Sequence, residues 1–151
     1  MAARTGTITV DDMAVAAATE ETALQLAAAA NKPIDLREIS VGGLSDDATD
    51  EPWIVRLRRQ TTAGTGGSSV TPENDDEGIT HTFQTTGLKS IQTAAPTASG
   101  DPLRVYVCNP RTGLVIRFEP GEIVVDGSGK LGLTLESADA NTAVAHMKFG
   151  E

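Results

Sequence analysis

The stretch KLGLTLES (Lys130–Ser137) places leucine at every second position, at Leu131, Leu133 and Leu135. Successive side chains of an extended chain point to opposite faces, so this spacing makes a strand with one buried face. A helix would need apolar residues three and four apart. The two-residue period recurs along the chain. WIVRLRR sets Trp53, Val55 and Leu57 against Ile54, Arg56 and Arg58. LRVYVCN sets Leu103, Val105 and Val107 on the face taken as inward, and LVIRFE does so with Leu114, Ile116 and Phe118. NTAVAHMKF alternates Ala143, Ala145, Met147 and Phe149 with Thr142, Val144, His146 and Lys148. EIVV (Glu122–Val125) is a shorter run of the same kind. Turn residues fall between the runs, and NPRTG (Asn109–Gly113) and DGSG (Asp126–Gly129) read as hairpin connections. Many short strands with regular turns indicate an all-β sandwich or barrel. The core expected from the alternation includes Leu57, Val105, Val107, Ile116, Leu131, Leu133, Leu135 and Met147.

The first third of the chain is less explicit. TGTITV (Thr5–Val10) fits a strand or an extended arm. Across residues 19–31 alanine, a possible cap at Thr19 and the stop at Pro33 favour a helix. Over the same residues Thr22, Leu24, Leu26 and Ala28 alternate with Ala23, Gln25 and Ala27, which is strand spacing. Both readings stay open, with strand favoured by everything downstream. In IDLREISVGGLS (Ile34–Ser45) the pair Ile34 and Leu36 has one parity and the pair Ile39 and Val41 the other, which a bulge near Arg37 and Glu38 reconciles.

The chain has 151 residues, the size of one domain, and a net charge of −9 from 12 basic and 21 acidic side chains. A nucleic-acid surface needs clustered Lys and Arg, and stacking platforms need more than 3% aromatics. No nucleic-acid partner is therefore expected. The lone Cys108 forms no intrachain disulfide, and no apolar run approaches the roughly 20 residues of a membrane helix, so no membrane partner is expected either. No signal-peptide pattern opens the chain, and residence in a cytoplasm during assembly is expected.

The segment Thr61–Gly78 has no periodicity, is rich in Gly, Thr and Ser, and carries the acid run Asp75, Asp76, Glu77. It reads as a long loop within one domain and a candidate contact element. GTGGSS (Gly64–Ser69) lacks the lysine or the G-x-G-x-x-G pattern of a phosphate loop. Asp46, Asp47, Asp50 and Glu51 do not have the spacing of a calcium loop and read as solvated charge. His81, His146 and Cys108 make no nucleophile–base set and no zinc quartet. No catalytic, cofactor or metal residues are assigned, and the expectation is a non-enzyme without cofactor. Arg56, Arg58 and Arg59 could grip a partner's carboxylates, or form a charged strand face that deters aggregation. With Thr61, Thr62 and Thr65 they are the candidate partner contacts.

The segments ANKPIDLREISVGG (Ala30–Gly43), RLRRQTTAGTGG (Arg56–Gly67), VCNPRTGLVIRF (Val107–Phe118) and Glu122–Glu151 together resemble a group of small tailed-phage and prophage virion proteins. In that group a strand ending R-Q-T-T-A-G-T precedes a Thr-rich loop, and a last strand ends in F-x-E, here Phe149-Gly150-Glu151. Proteins of this kind are similar to capsid decoration (cement) proteins with a jelly-roll-like β-sandwich. The resemblance implies an N-terminal arm (1–18) and a sandwich domain (19–151). It implies binding to the major capsid protein on the outside of an assembled head, location on the virion, and self-association as a homotrimer. The alternative is a jelly-roll module of a phage tail or fibre that contacts host glycans.

Overall fold

A computed structural model describes residues 4–44, 51–78 and 80–151. Asp46, Asp47 and Asp50, weighed above as cation ligands, lie outside the described residues. Within them the chain is built from strands: β1 (Thr5–Val15), β2 (Glu21–Ala27), β3 (Ile34–Gly43), β4 (Trp53–Gln60), β5 (Ser68–Val70), β6 (Glu73–Asn74), β7 (Thr86–Ile91), β8 (Arg104–Cys108), β9 (Leu114–Arg117), β10 (Val124–Val125), β11 (Lys130–Glu136) and β12 (Asn141–Gly150). They form two antiparallel sheets of six strands. The first runs β10-β3-β12-β1-β6, with β9 also on β3; the second runs β5-β7-β2-β11-β4-β8. The expected all-β sandwich is the fold.

The alternating residues meet between the sheets. Ile8, Val10, Met13, Ile39, Val41, Ala145, Met147 and Phe149 come from the first sheet, and Leu24, Leu26, Trp53, Val55, Leu57, Leu131, Leu133 and Leu135 from the second; all are buried. Each fully buried Leu or Ile contributes about 1.5–3 kcal/mol through removal from water. The bulge read from the parity change in β3 is present: Lys148 pairs with Glu38 and Phe149 with Leu36, skipping Arg37. Residues 21–27 are strand, not helix. A second irregularity at Ala23, between the pairs Thr134–Thr22 and Leu133–Leu24, turns Thr22 outward while Leu24 stays in the core.

Four expectations are corrected. Thr5–Val15, read as part of an arm over residues 1–18, is β1, hydrogen-bonded along β12 and to β6 and burying Ile8, Val10, Met13 and Val15. Val105 and Val107 are 54% and 67% exposed, while Tyr106 and Cys108 turn toward the core. Both faces of RVYVC carry apolar residues, so alternation alone could not tell inside from outside. Ile116 is only partly buried against the core, because β9 hangs on one side of β3. NPRTG and DGSG are not hairpins. The first joins β8 of the second sheet to β9 of the first, and the second joins β10 of the first to β11 of the second. A turn signal shows that the chain reverses but not whether the flanking strands pair.

The Thr61–Gly78 segment is also not an open loop. Thr61–Gly67 folds back on Thr93–Ala98 through Thr61 N–H to Thr97 O (2.9 Å) and Thr65 N–H to Ala94 O (3.0 Å). Ser68–Val70 then joins the second sheet and Glu73–Asn74 the first. The glycines of GTGG make this close approach possible. A Cβ on Gly64 would collide with Ile91, and Gly66 has φ +80° against Thr93.

Candidate functional site

The outer face of the second sheet holds a polar cluster to which β4 contributes Arg56, Arg58 and Gln60. Arg56 and Arg58 point outward because Val55 and Leu57 point inward. Glu20, just before β2, lies across from them. Arg58 Nε and Nη2 reach the two Glu20 oxygens at 2.5 and 3.1 Å, and Thr134 Oγ1 donates to Glu20 at 2.7 Å. Arg56 sits between Glu136 (2.6 Å) and Glu20 (3.3 Å). Burial pushes the Glu20 carboxyl up, but the Arg58 fork, the Thr134 hydroxyl and the Arg56 charge outweigh it and hold the pKa below the ordinary value. The two guanidinium groups are thus engaged by carboxylates of the same chain.

In the same cluster Gln60 lies over β11. A Cβ on Gly132 would fall inside the Gln60 amide, so glycine makes the crossing possible. Gln25 Nε2 donates to Gln60 Oε1 (2.6 Å) and to Thr62 O (3.1 Å), and Gln60 Nε2 donates to Thr22 Oγ1 (3.3 Å). Gln25, Gln60, Thr22 and Thr134 are buried although they face away from the core, because the Thr61–Thr65 and Ala94–Ala98 segments cover them. An open pocket of about 340 Å³ remains between this floor and the cover, lined by Glu20, Thr22, Arg58, Gln60, Thr134, Ala95, Pro96 and Ala98.

The six residues taken from the sequence as partner contacts therefore divide. Arg56 and Arg58 are half-buried and ion-paired. Thr61, Thr62 and Thr65 are exposed on the covering segment, while Arg59, also exposed, has the parity of Leu57 and reaches across the end of the sandwich to the first sheet. Arg59 donates to Val124 O (3.1 Å), and Thr62 Oγ1 accepts from Thr97 N–H (2.9 Å). Sequence reasoning missed Glu20, Gln25, Gln60, Thr134 and Glu136. Alternation does turn Gln25 and Gln60 away from the core, but nothing local says that another segment will cover them.

A second cluster surrounds Glu151. Its carboxylate is fully buried and accepts Thr85 N–H (2.8 Å), Thr85 Oγ1–H (2.7 Å) and Gln84 N–H (3.1 Å), with Lys32 Nζ at 3.4 Å. His81 Nε2 lies 3.8 Å away without a hydrogen bond, its ring edge-on to Phe83, which packs on Phe149. Burial raises the Glu151 pKa, but the Thr85 hydroxyl and the two backbone N–H groups outweigh it and lower it. The Phe149-Gly150-Glu151 motif thus closes the sandwich over the segment that leads into β7.

The remaining reactive side chains are dispersed. Burial pushes the Cys108 thiol up, away from the reactive thiolate. His146 bonds Glu38 at 2.9 Å on the outer face of the first sheet, and Arg117 bonds the other Glu38 oxygen at 2.8 Å. Asp75, part of the acid run, binds Thr7 Oγ1 (2.7 Å) and Lys148 Nζ (3.1 Å) and so fastens the β6 region to the first sheet. Among the described residues no three His, Cys, Asp or Glu side chains converge as a metal site. No family model, curated protein or solved structure matches this chain.

Proposed function

We propose that this protein is a structural binding module that coats the outer surface of an assembled phage head, contacts the major capsid protein and stabilises the shell without catalysis. One observation carries the reading: the motifs that bear the resemblance to decoration proteins serve to lock the sandwich. Gln60, Thr61 and Thr62 of the R-Q-T-T segment tie down the cover over the second sheet. Glu151 of the F-x-E motif fastens Gln84 and Thr85. A coat protein gains from such a rigid body, since ordering costs are met before binding. The exposed Thr61, Thr62 and Thr65, with Arg59 at the end of the sandwich, offer the contact surface. Many copies each making a modest contact suffice, because linked contacts can raise apparent affinity by roughly 10²–10⁴-fold.

The test is co-sedimentation of the purified protein with undecorated mature heads. Pelleting with the heads, weakened by Arg59→Glu with Thr65→Arg, supports the reading. Retention in the supernatant, or recovery only with tails, overturns it.

A second reading draws on the pocket beside Glu20. A carboxylate, a guanidinium, an amide and two hydroxyls around about 340 Å³ suit a hydroxylated ligand, as in a glycan-holding tail module. Chemical-shift changes confined to Gln60 and Thr134 on titration with a monosaccharide panel would favour it.

A further inference from the structure

The open edge at β8 differs from the other described edges. An unpaired row of N–H and C=O groups templates pairing with another strand, and natural sheets blunt such edges with short strands, charges, prolines or bulges. β5, β6, β9 and β10 are 3, 2, 4 and 2 residues long. The part of β1 that β6 leaves unpaired carries the shift between Val10 and Met13, with Asp11 and Asp12 exposed there. β8 lacks the proline, the bulge and the acids, and its one charge, Arg104, stands at its first residue. It is 5 residues long, contains no proline or acid, and keeps an unbroken register with β4 from Leu57–Arg104 to Trp53–Cys108. No described strand lies beyond it. Its outward side chains are the exposed Val105 and Val107, and Ile54 on β4 lies across from Val107.

We propose that β8 pairs antiparallel with β8 of a second copy of this chain, about a two-fold axis through Tyr106. The sequence Val105-Tyr106-Val107 reads alike in both directions. Pairing about Tyr106 therefore sets Val105 opposite Val107 of the second copy twice, and an isologous interface requires this self-complementarity. Charge favours the same partner. Two copies at −9 each repel in general, yet Pro102–Cys108 contains no acid, and its one cation, Arg104, has Glu122 at 3.4 Å. The pairing sets Arg104 opposite Cys108 of the second copy, so no like charges meet. A three-fold ring would need a second, different edge to receive β8, and the other described edges are short or carry acids. This inference goes beyond head binding and stands without it.

The test is sedimentation equilibrium of the whole protein from about 1 to about 500 µM, since interfaces below about 1,200 Å² are weak. A monomer–dimer equilibrium is expected. Val105→Glu and Val107→Lys each weaken it at least about tenfold by placing a charge against valine. The far-UV spectrum stays unchanged, and so does the unfolding midpoint at concentrations where the wild type is monomeric, because both side chains are exposed. Mixing the two variants restores a dimer, because Glu at 105 then faces Lys at 107 of the other copy. A monomer throughout, a trimer, a dimer indifferent to both variants, or a mixture that fails to associate would each overturn the proposal.

Discussion

Replacing Glu151 by alanine should cost about 2–4 kcal/mol of stability. The carboxylate is fully buried and serves three donors on two residues, the N–H groups of Gln84 and Thr85 and the Thr85 hydroxyl. Thr85 is itself buried, so truncation leaves its donors without an acceptor, at about 1–3 kcal/mol for an orphaned buried group. Gln84 is exposed, and water replaces most of its lost bond, leaving about 0.5–1 kcal/mol. Lys32, 38% exposed, is resolvated at little cost. Glu151→Gln keeps one acceptor oxygen and should fall between alanine and the wild type. Urea unfolding measures the effect, with the slope unchanged and the midpoint lowered. For a domain of this size the melting temperature should drop by about 5–15 °C. Amide exchange at Thr85 should accelerate more than in the β11–β4 ladder. A loss below about 0.5 kcal/mol for Glu151→Ala would refute the claim that this carboxylate holds the segment leading into β7.

Leu133→Ala should cost about 2–5 kcal/mol in the same assay, because Leu133 is fully buried at the centre of the second sheet. Deleting residues 1–15 should abolish cooperative unfolding, since it removes β1 from between β12 and β6; a truncated chain that still melts cooperatively would contradict the placement of β1. Stability should be flat above about pH 5 and fall as the pH drops through and below the usual carboxyl range near 4. Glu20, Glu38, Asp75 and Glu151 all have folded-state pKa values lowered relative to the unfolded chain, so their stabilisation is present above the unfolded pKa and lost on protonation. Glu151→Gln should flatten part of that acid limb, and an unchanged limb would remove Glu151 from its causes.

The cover over the second sheet shows why some of the candidate site was hidden. Arg58 and Gln60 were readable as outward-facing from the parity of β4. That Glu20 would meet Arg58, and that Thr62 and Thr97 would come together above Gln60, depends on segments 30 or more residues apart. No local pattern encodes such meetings. Thr61–Gly78 looked unstructured because β5 and β6 are too short to show a period. The glycines of GTGG, which match no phosphate-loop pattern, let the backbone pass against Ile91 and Thr93.

By itself the sequence determined that this chain is a β-protein with Leu57, Leu131, Leu133, Leu135 and Met147 inside and a bulge near Arg37. Side-chain alternation and its phase slips are local properties of an extended backbone, and they survive any arrangement of the strands. Only the tertiary structure decided that Thr5–Val15 is a strand within the first sheet, that NPRTG and DGSG carry the chain between sheets, and that Val105 and Val107 face out. In RVYVC both parities are apolar, so burial was settled by which face of β8 the opposing sheet covered.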